Sequence, residues 1–210
     1  MDFALTATPV TLAILIATVV VSLAAFAHQG LRAYLSLEPC QMVRTRQYHQ
    51  VITSGFVHAD FAHLAVNMLT LYFFGRSLEG MIVSAYATSS PFVGIYLSGL
   101  VLGSLYPLLK YRHNESYGAV GASGAISGIV FAFCLAQPTA LIYVFFSIPM
   151  PAWLYAILYT AYSMYGMRRA NDNIGHEAHI AGAIGGMVAA MVSVPAIVTV
   201  FQRLGLPWFG

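Results

Sequence analysis

Of 210 residues, 59% are apolar and only 8% are charged, with a net charge of +2. A water-soluble domain carries about a quarter charged residues, so water alone cannot solvate this surface, and lipid is the solvent that fits it. The small net charge, with no basic cluster interleaved with aromatics, excludes a nucleic-acid binder. Cys40 and Cys134 are too few and too far apart to read as a disulfide framework or a metal-ligand set.

Uncharged stretches mark the spans, because a spanning helix needs about 20 mostly apolar residues. Nothing between Asp2 and Arg32 is charged, and a first helix is predicted over 10–29. Ala25-Phe26-Ala27 resembles a signal-peptide cleavage site. The only early charge is the acidic Asp2, where a signal carries Lys or Arg, so this helix is read as retained. A short apolar segment between Asp60 and Arg76 predicts a second helix over 61–75, and the gap from Glu79 to Lys110 a third over 89–109. The gap from Glu115 to Arg168 is too long for one helix and is divided by Gln137-Pro138 and Pro149-Met150-Pro151. It predicts a fourth helix over 119–136 and a fifth over 151–166, with the apolar stretch 139–148 at the membrane interface. A sixth helix is predicted over 177–200. The expected class is an all-α membrane protein: a bundle of six transmembrane helices in one membrane domain over 1–210, without internal repeats or a separate soluble domain.

Successive crossings alternate in direction, so the second, fourth and sixth helices begin on the same side. The second carries His63 and Asn67, whose i, i+4 spacing puts them on one face. The fourth carries Ser123 and the sixth His179, each close to its helix start. Three segments thus deliver Ser, His, His and Asn to one shallow layer, where intramembrane polar groups are costly and face the interior or water. Taken singly, Ser123 reads as a small packing residue, His63 and His179 as interhelical hydrogen-bonding groups, and Asn67 as helix–helix glue. Their convergence favours a site. Gly124 with Gly128, and Gly182 with Gly186, are pairs four apart that let two backbones approach closely in lipid. Pairing the fourth helix with the sixth brings Ser123 within reach of His179. A serine hydroxyl beside a histidine base is a nucleophile for acyl transfer. Glu177 lies two residues from His179 on another helical face, which leaves a Ser–His dyad.

These segments resemble the rhomboid proteases. Gly121-Ala122-Ser123-Gly124-Ala125 is similar to the family's G-x-S-G nucleophile motif, Ala178-His179-Ile180-Ala181-Gly182 followed by Gly186 to its histidine helix, and His58 through His63 to Asn67 to its H-x-x-x-x-H-x-x-x-N segment. Gly75 and Glu79 match the end of that segment's helix. The resemblance implies a six-helix fold around a water-accessible cavity and hydrolysis of a peptide bond in or near the transmembrane segment of a membrane-protein substrate. It implies Ser123 as nucleophile, His179 as general base, and His63, Asn67 and the Ser123 backbone N–H as oxyanion donors, with no cofactor and no metal. The chain departs from the family at His49-Gln50, where an aromatic–Arg pair is common, and at Ser127, where a Tyr or Phe often packs on the catalytic histidine.

Two rival readings are a catalytically inactive rhomboid relative that binds membrane clients and a small transporter. Inactive relatives usually lack the Ser or the His, and the deeper parts of the second, fourth and sixth helices are mainly Met, Leu, Phe, Val and Ala, which is no polar pathway. Arg32, Arg44, Arg46, Lys110, Arg112, Arg168 and Arg169 lie on the site side, against Arg76 and Arg203 on the other. The positive-inside bias would place the site in the cytosol. The resemblance places it on the extracytoplasmic side, and a compact six-helix chain without extra domains suggests a bacterial inner membrane.

Overall fold

The computed structural model describes residues 8–144, 147–169 and 175–197. Helix α1 (Pro9–Ala27) is followed by a first loop folded into α2 (Gln29–Leu35), α3 (Pro39–Thr45), α4 (Gln50–Thr53) and a 3₁₀ turn over Ser54–Phe56. Helix α5 (Phe61–Thr70) runs through a π turn (Leu71–Gly75) into α6 (Arg76–Tyr86). Then come α7 (Ser90–Tyr111), α8 (Ser123–Ala136), the strands β1 (Leu141–Val144) and β2 (Ile148–Pro151), α9 (Ala152–Arg169) and α10 (His176–Ser193). The α5–α6 rod counts as one long helix, so the architecture is the expected all-α bundle of six long helices. The stretch expected at the interface forms an antiparallel hairpin, with Leu141 opposite Pro151 and Val144 opposite Ile148.

Two helices, Pro9–Ala27 and Ser90–Tyr111, meet the length and hydropathy of a spanning segment by themselves. Helix α8 is shorter: its 14 residues rise about 21 Å, against a hydrocarbon layer of about 30 Å. It is also almost wholly buried from Gly124 to Ala132.

The predicted boundaries fail in three informative places. The second helix does not stop at 75, before the charge of Arg76, but continues to Tyr86, and a further charge on it, Glu79, faces inward. It is fully buried and accepts the N–H groups of Val10 (3.0 Å) and Thr11 (2.8 Å) and the Ser89 hydroxyl (2.7 Å). Thr8, the N-cap of α1, makes no side-chain cap bond, so Glu79 satisfies the orphan donors of that helix start and meets its positive dipole end. The fourth helix begins at Ser123, not 119. Residues before it pair with the first loop (Leu37 and Ala119 exchange two 2.9 Å bonds, and the Gly121 N–H reaches the Ser54 carbonyl at 2.9 Å). Gly121 sits at φ +120°, which a side chain rarely adopts. The sixth helix ends at Ser193, because Pro195 drives Val194 out of helical geometry; residues 198–200 of its predicted span lie outside the described residues.

The centre of the bundle is a seam of glycines. A Cβ on Gly128 would stand 3.0 Å from the Gly182 carbonyl and 3.1 Å from the Gly186 Cα. A Cβ on Gly182 would strike the Gly124 carbonyl, and one on Gly186 the Gly128 backbone. Helix α7 joins with Gly99, against Ala125 and Gly124, and Gly103, against the Gly124 Cα. Close backbone approach of this kind lets helices associate in lipid, where the hydrophobic effect between them is absent.

Candidate active site

Ser123 is the first residue of α8 and is half-buried, directly after the fully buried Ala122. The first N–H groups of a helix have no intrahelical partner, so the start of α8 presents free donors and a positive dipole end beside the hydroxyl.

The loop before Ser123 is held by His58. The Ala122 N–H donates to His58 Nε2 (3.4 Å), so Nδ1 carries the proton and donates to Ser22 Oγ (2.9 Å). The Ser22 hydroxyl in turn donates to the Phe56 carbonyl (2.8 Å). This fully buried chain ties α1 to the residue preceding Ser123. Beyond its place in a matched motif, His58 is given no role by the sequence, because its partners lie 36 and 64 positions away.

His63 packs edge-on against His58, with ring centroids 5.0 Å apart. Its ring lies over Gly121, where a Cβ would come within 2.7 Å of Cε1 and 2.9 Å of Nε2. This contact, besides the positive φ, reserves position 121 for glycine. Asp60 caps α5 by accepting the His63 N–H at 2.8 Å. Asn67 is buried and donates from Nδ2 to the His63 carbonyl at 2.9 Å. An amide nitrogen carries two donors, so one remains beyond that bond.

His179 is the fourth residue of α10, and the carbonyl of its neighbour Ala178 lies 3.3 Å from where a Cβ of Gly124 would be. The residue after Ser123 and the residue before His179 are thus in backbone contact, and the glycine seam produces it. No hydrogen bond joins Ser123 to His179 in this structure, a common condition of catalytic pairs without substrate. Glu177 points elsewhere, accepting from Lys110 Nζ (2.5 Å) and the Tyr111 hydroxyl (2.9 Å). Tyr111 stacks on Tyr117 at 3.9 Å. Burial, with Tyr111 and Glu177 adding to it, pushes the Tyr117 hydroxyl up to about 12, so it stays a neutral donor. These contacts fasten the start of α10 to the end of α7.

Both departures from the family pattern have a physical reading. Gln50 is buried and knits the first loop: Oε1 accepts the Glu38 N–H (3.1 Å), and Nε2 donates to the Tyr34 carbonyl (3.4 Å) and Gln47 Oε1 (3.0 Å). Ser127 exchanges a hydrogen bond with the Tyr159 hydroxyl (3.0 Å), and the Tyr159 ring lies 6.2 Å from that of His179, tilted by 31°. Among the described residues, no three His, Cys, Asp or Glu side chains converge as a metal set.

Comparison with known proteins identifies the family. The rhomboid domain model matches residues 45–196. The chain is 30% identical over 155 residues to RHOMBOID-like protein 12, mitochondrial, of Arabidopsis thaliana, covering 67% of this chain and 45% of that protein. It is 32% identical over 142 residues to Rhomboid protein 1, mitochondrial, of Saccharomyces cerevisiae, covering 66% and 40%. It is 32% identical over 153 residues to Rhomboid protease GluP of Bacillus subtilis, covering 71% and 27%. The chain therefore matches less than half the length of each of these relatives. Two of the names are mitochondrial, so similarity does not single out a bacterial membrane. The helix starts, the glycine seam and the family match lead to one conclusion: this chain is an integral membrane protein belonging to the rhomboid family.

Proposed function

We propose that the chain is an intramembrane serine endopeptidase that hydrolyses a peptide bond in or near the transmembrane segment of a membrane-protein substrate. The observation that carries this is the contact of Gly124 with the Ala178 carbonyl, which sets the helix starts bearing Ser123 and His179 side by side. Ser123 Oγ attacks the scissile carbonyl while His179 takes its proton, and His179 later returns the proton to the leaving amine. The tetrahedral oxyanion is met by the Ser123 N–H at the start of α8, by the remaining Asn67 donor and by His63. Glu177 takes no part, being engaged by Lys110 and Tyr111. Water, activated by His179, then cleaves the acyl-enzyme ester and restores the Ser123 hydroxyl; this step requires water to enter at the start of α8 from the face carrying the folded first loop.

The test is cleavage of a transmembrane substrate in detergent by purified wild type, Ser123→Ala and His179→Ala. Both variants lose cleavage in a folded protein. Undiminished cleavage by Ser123→Ala sinks the proposal. An inactive client-binding relative predicts substrate association without cleavage in wild type as well.

A further inference from the structure

A histidine base works only if its ring is held in one orientation, and among the described residues no carboxylate does so. Glu177, the acidic residue closest in sequence, is taken by Lys110 and Tyr111. The rings around His179 are His176, edge-on at 6.2 Å, and Tyr159, tilted at 6.2 Å. His176 belongs to the same helix three residues earlier and packs on Tyr162 of α9 at 5.3 Å, so it seats the start of α10 on α9. Tyr159 comes from a different helix, α9. Its own ring is clamped, with Phe131 of α8 edge-on at 5.5 Å and Tyr155 stacked at 5.9 Å. Its hydroxyl is bonded to Ser127, four residues after Ser123 on the same face of α8.

From this geometry we infer that Tyr159, anchored by the Ser127 hydroxyl, is a positioning residue that holds the His179 imidazole toward Ser123. The inference rests on the proposed protease function. The connection runs from the helix bearing the nucleophile, through Ser127, to the phenol of Tyr159 and on to the imidazole. Aromatic pairs at centroid separations of about 4.5–7 Å have preferred relative orientations, so fixing one ring restricts the other. Ser127 is small because the phenol arrives from α9; a large side chain there would occupy the space of the Tyr159 hydroxyl. His63 of α5, whose ring lies over Gly121, is a further titratable group at the start of α8. The surface of α9 also carries the exposed Trp153, Ile157, Leu158 and Tyr162, so α9 is anchored chiefly along the face that presents Tyr159. Docking of α9 thereby orients the base.

Four variants test this: Tyr159→Phe, Tyr159→Leu, Ser127→Ala and the double Ser127→Ala/Tyr159→Phe. Each is measured for kcat, KM, the pH profile of cleavage and thermal unfolding in detergent, with Ser123→Ala as control. Tyr159→Leu lowers kcat by roughly ten- to a hundredfold, the scale of a misplaced catalytic group, leaves KM within about twofold, and displaces the acid limb of the profile. Tyr159→Phe, which keeps the ring, loses only about three- to tenfold, the worth of one hydrogen bond. The double variant is no worse than either single one. A folded Tyr159→Leu with wild-type kcat, a loss that follows the melting temperature with the acid limb unmoved, or additive losses in the double variant overturns the inference. If Ser123→Ala still cleaves, the protease reading itself falls and this one with it. If Ser123→Ala is dead while Tyr159→Leu is unaffected, only the positioning role is lost.

Discussion

A donor that meets charge only in the transition state reveals itself in kcat and not in KM. Asn67→Ala is therefore expected to lower kcat by about 10²–10³-fold with KM nearly unchanged, as measured by steady-state cleavage. The melting temperature should move little, because the bond lost is local, from Asn67 back to His63 one turn earlier. An unchanged kcat removes Asn67 from the site. The residue scale was also the most legible one. Helix direction, the glycine pairs and the motif resemblance together single out Ser123, His179, His63 and Asn67 as candidates. The supports of these residues were not legible. His58 joins Ser22 and Ala122, and Tyr159 joins Ser127 across 32 positions. Such pairings depend on how helices rotate against each other, and hydropathy carries no record of that rotation.

Among the elements, the close approach of α7, α8 and α10 governs stability. Gly186→Val places a branched side chain where even one Cβ strikes the Gly128 backbone. It is expected to cost at least ~1–3 kcal/mol, the scale of overpacking, seen as a lowered melting temperature in detergent and lost cleavage. Gly94, whose Cβ would meet open space, should accept alanine with neither change, which separates the seam from glycine in general. The pairing of α8 with α10 was readable from the two glycine pairs, whereas Gly99 and Gly103 of α7 drew no attention because no histidine, amide or carboxylate marks that helix. The second helix outruns its predicted end for a different reason. A charge ordinarily marks the end of a span, which places the end before Arg76, but the helix runs on through Glu79, buried as the cap of α1, whose first N–H groups lie 68 and 69 residues earlier. Glu79→Ala strands two N–H groups at the start of α1, at a cost of roughly 1–3 kcal/mol for each left unsatisfied, and thermal unfolding in detergent measures it.

At the scale of the whole molecule, the account puts the site on the extracytoplasmic face. Arg32, Arg44, Lys110 and Arg112 stand on the site side, yet Arg44 is paired with Glu115 at 2.6 Å and Lys110 with Glu177 at 2.5 Å. These ion pairs tie the loops together, but acidic partners contribute little to the positive-inside signal, so the topology is settled by measurement rather than by charge. Both native thiols are buried, so Arg112→Cys provides a single reporter. The account expects an impermeant maleimide to label it in intact bacterial cells expressing the protein; labelling only after permeabilisation reverses the topology. The central claim concerns the pair of Ser123 and His179, and a fluorophosphonate that reacts only with an activated serine tests it most directly. The account predicts a covalent adduct on Ser123 in the folded wild type, located by peptide mass spectrometry, and its loss in His179→Ala. Absence of the adduct in wild type, or equal labelling of His179→Ala, contradicts it.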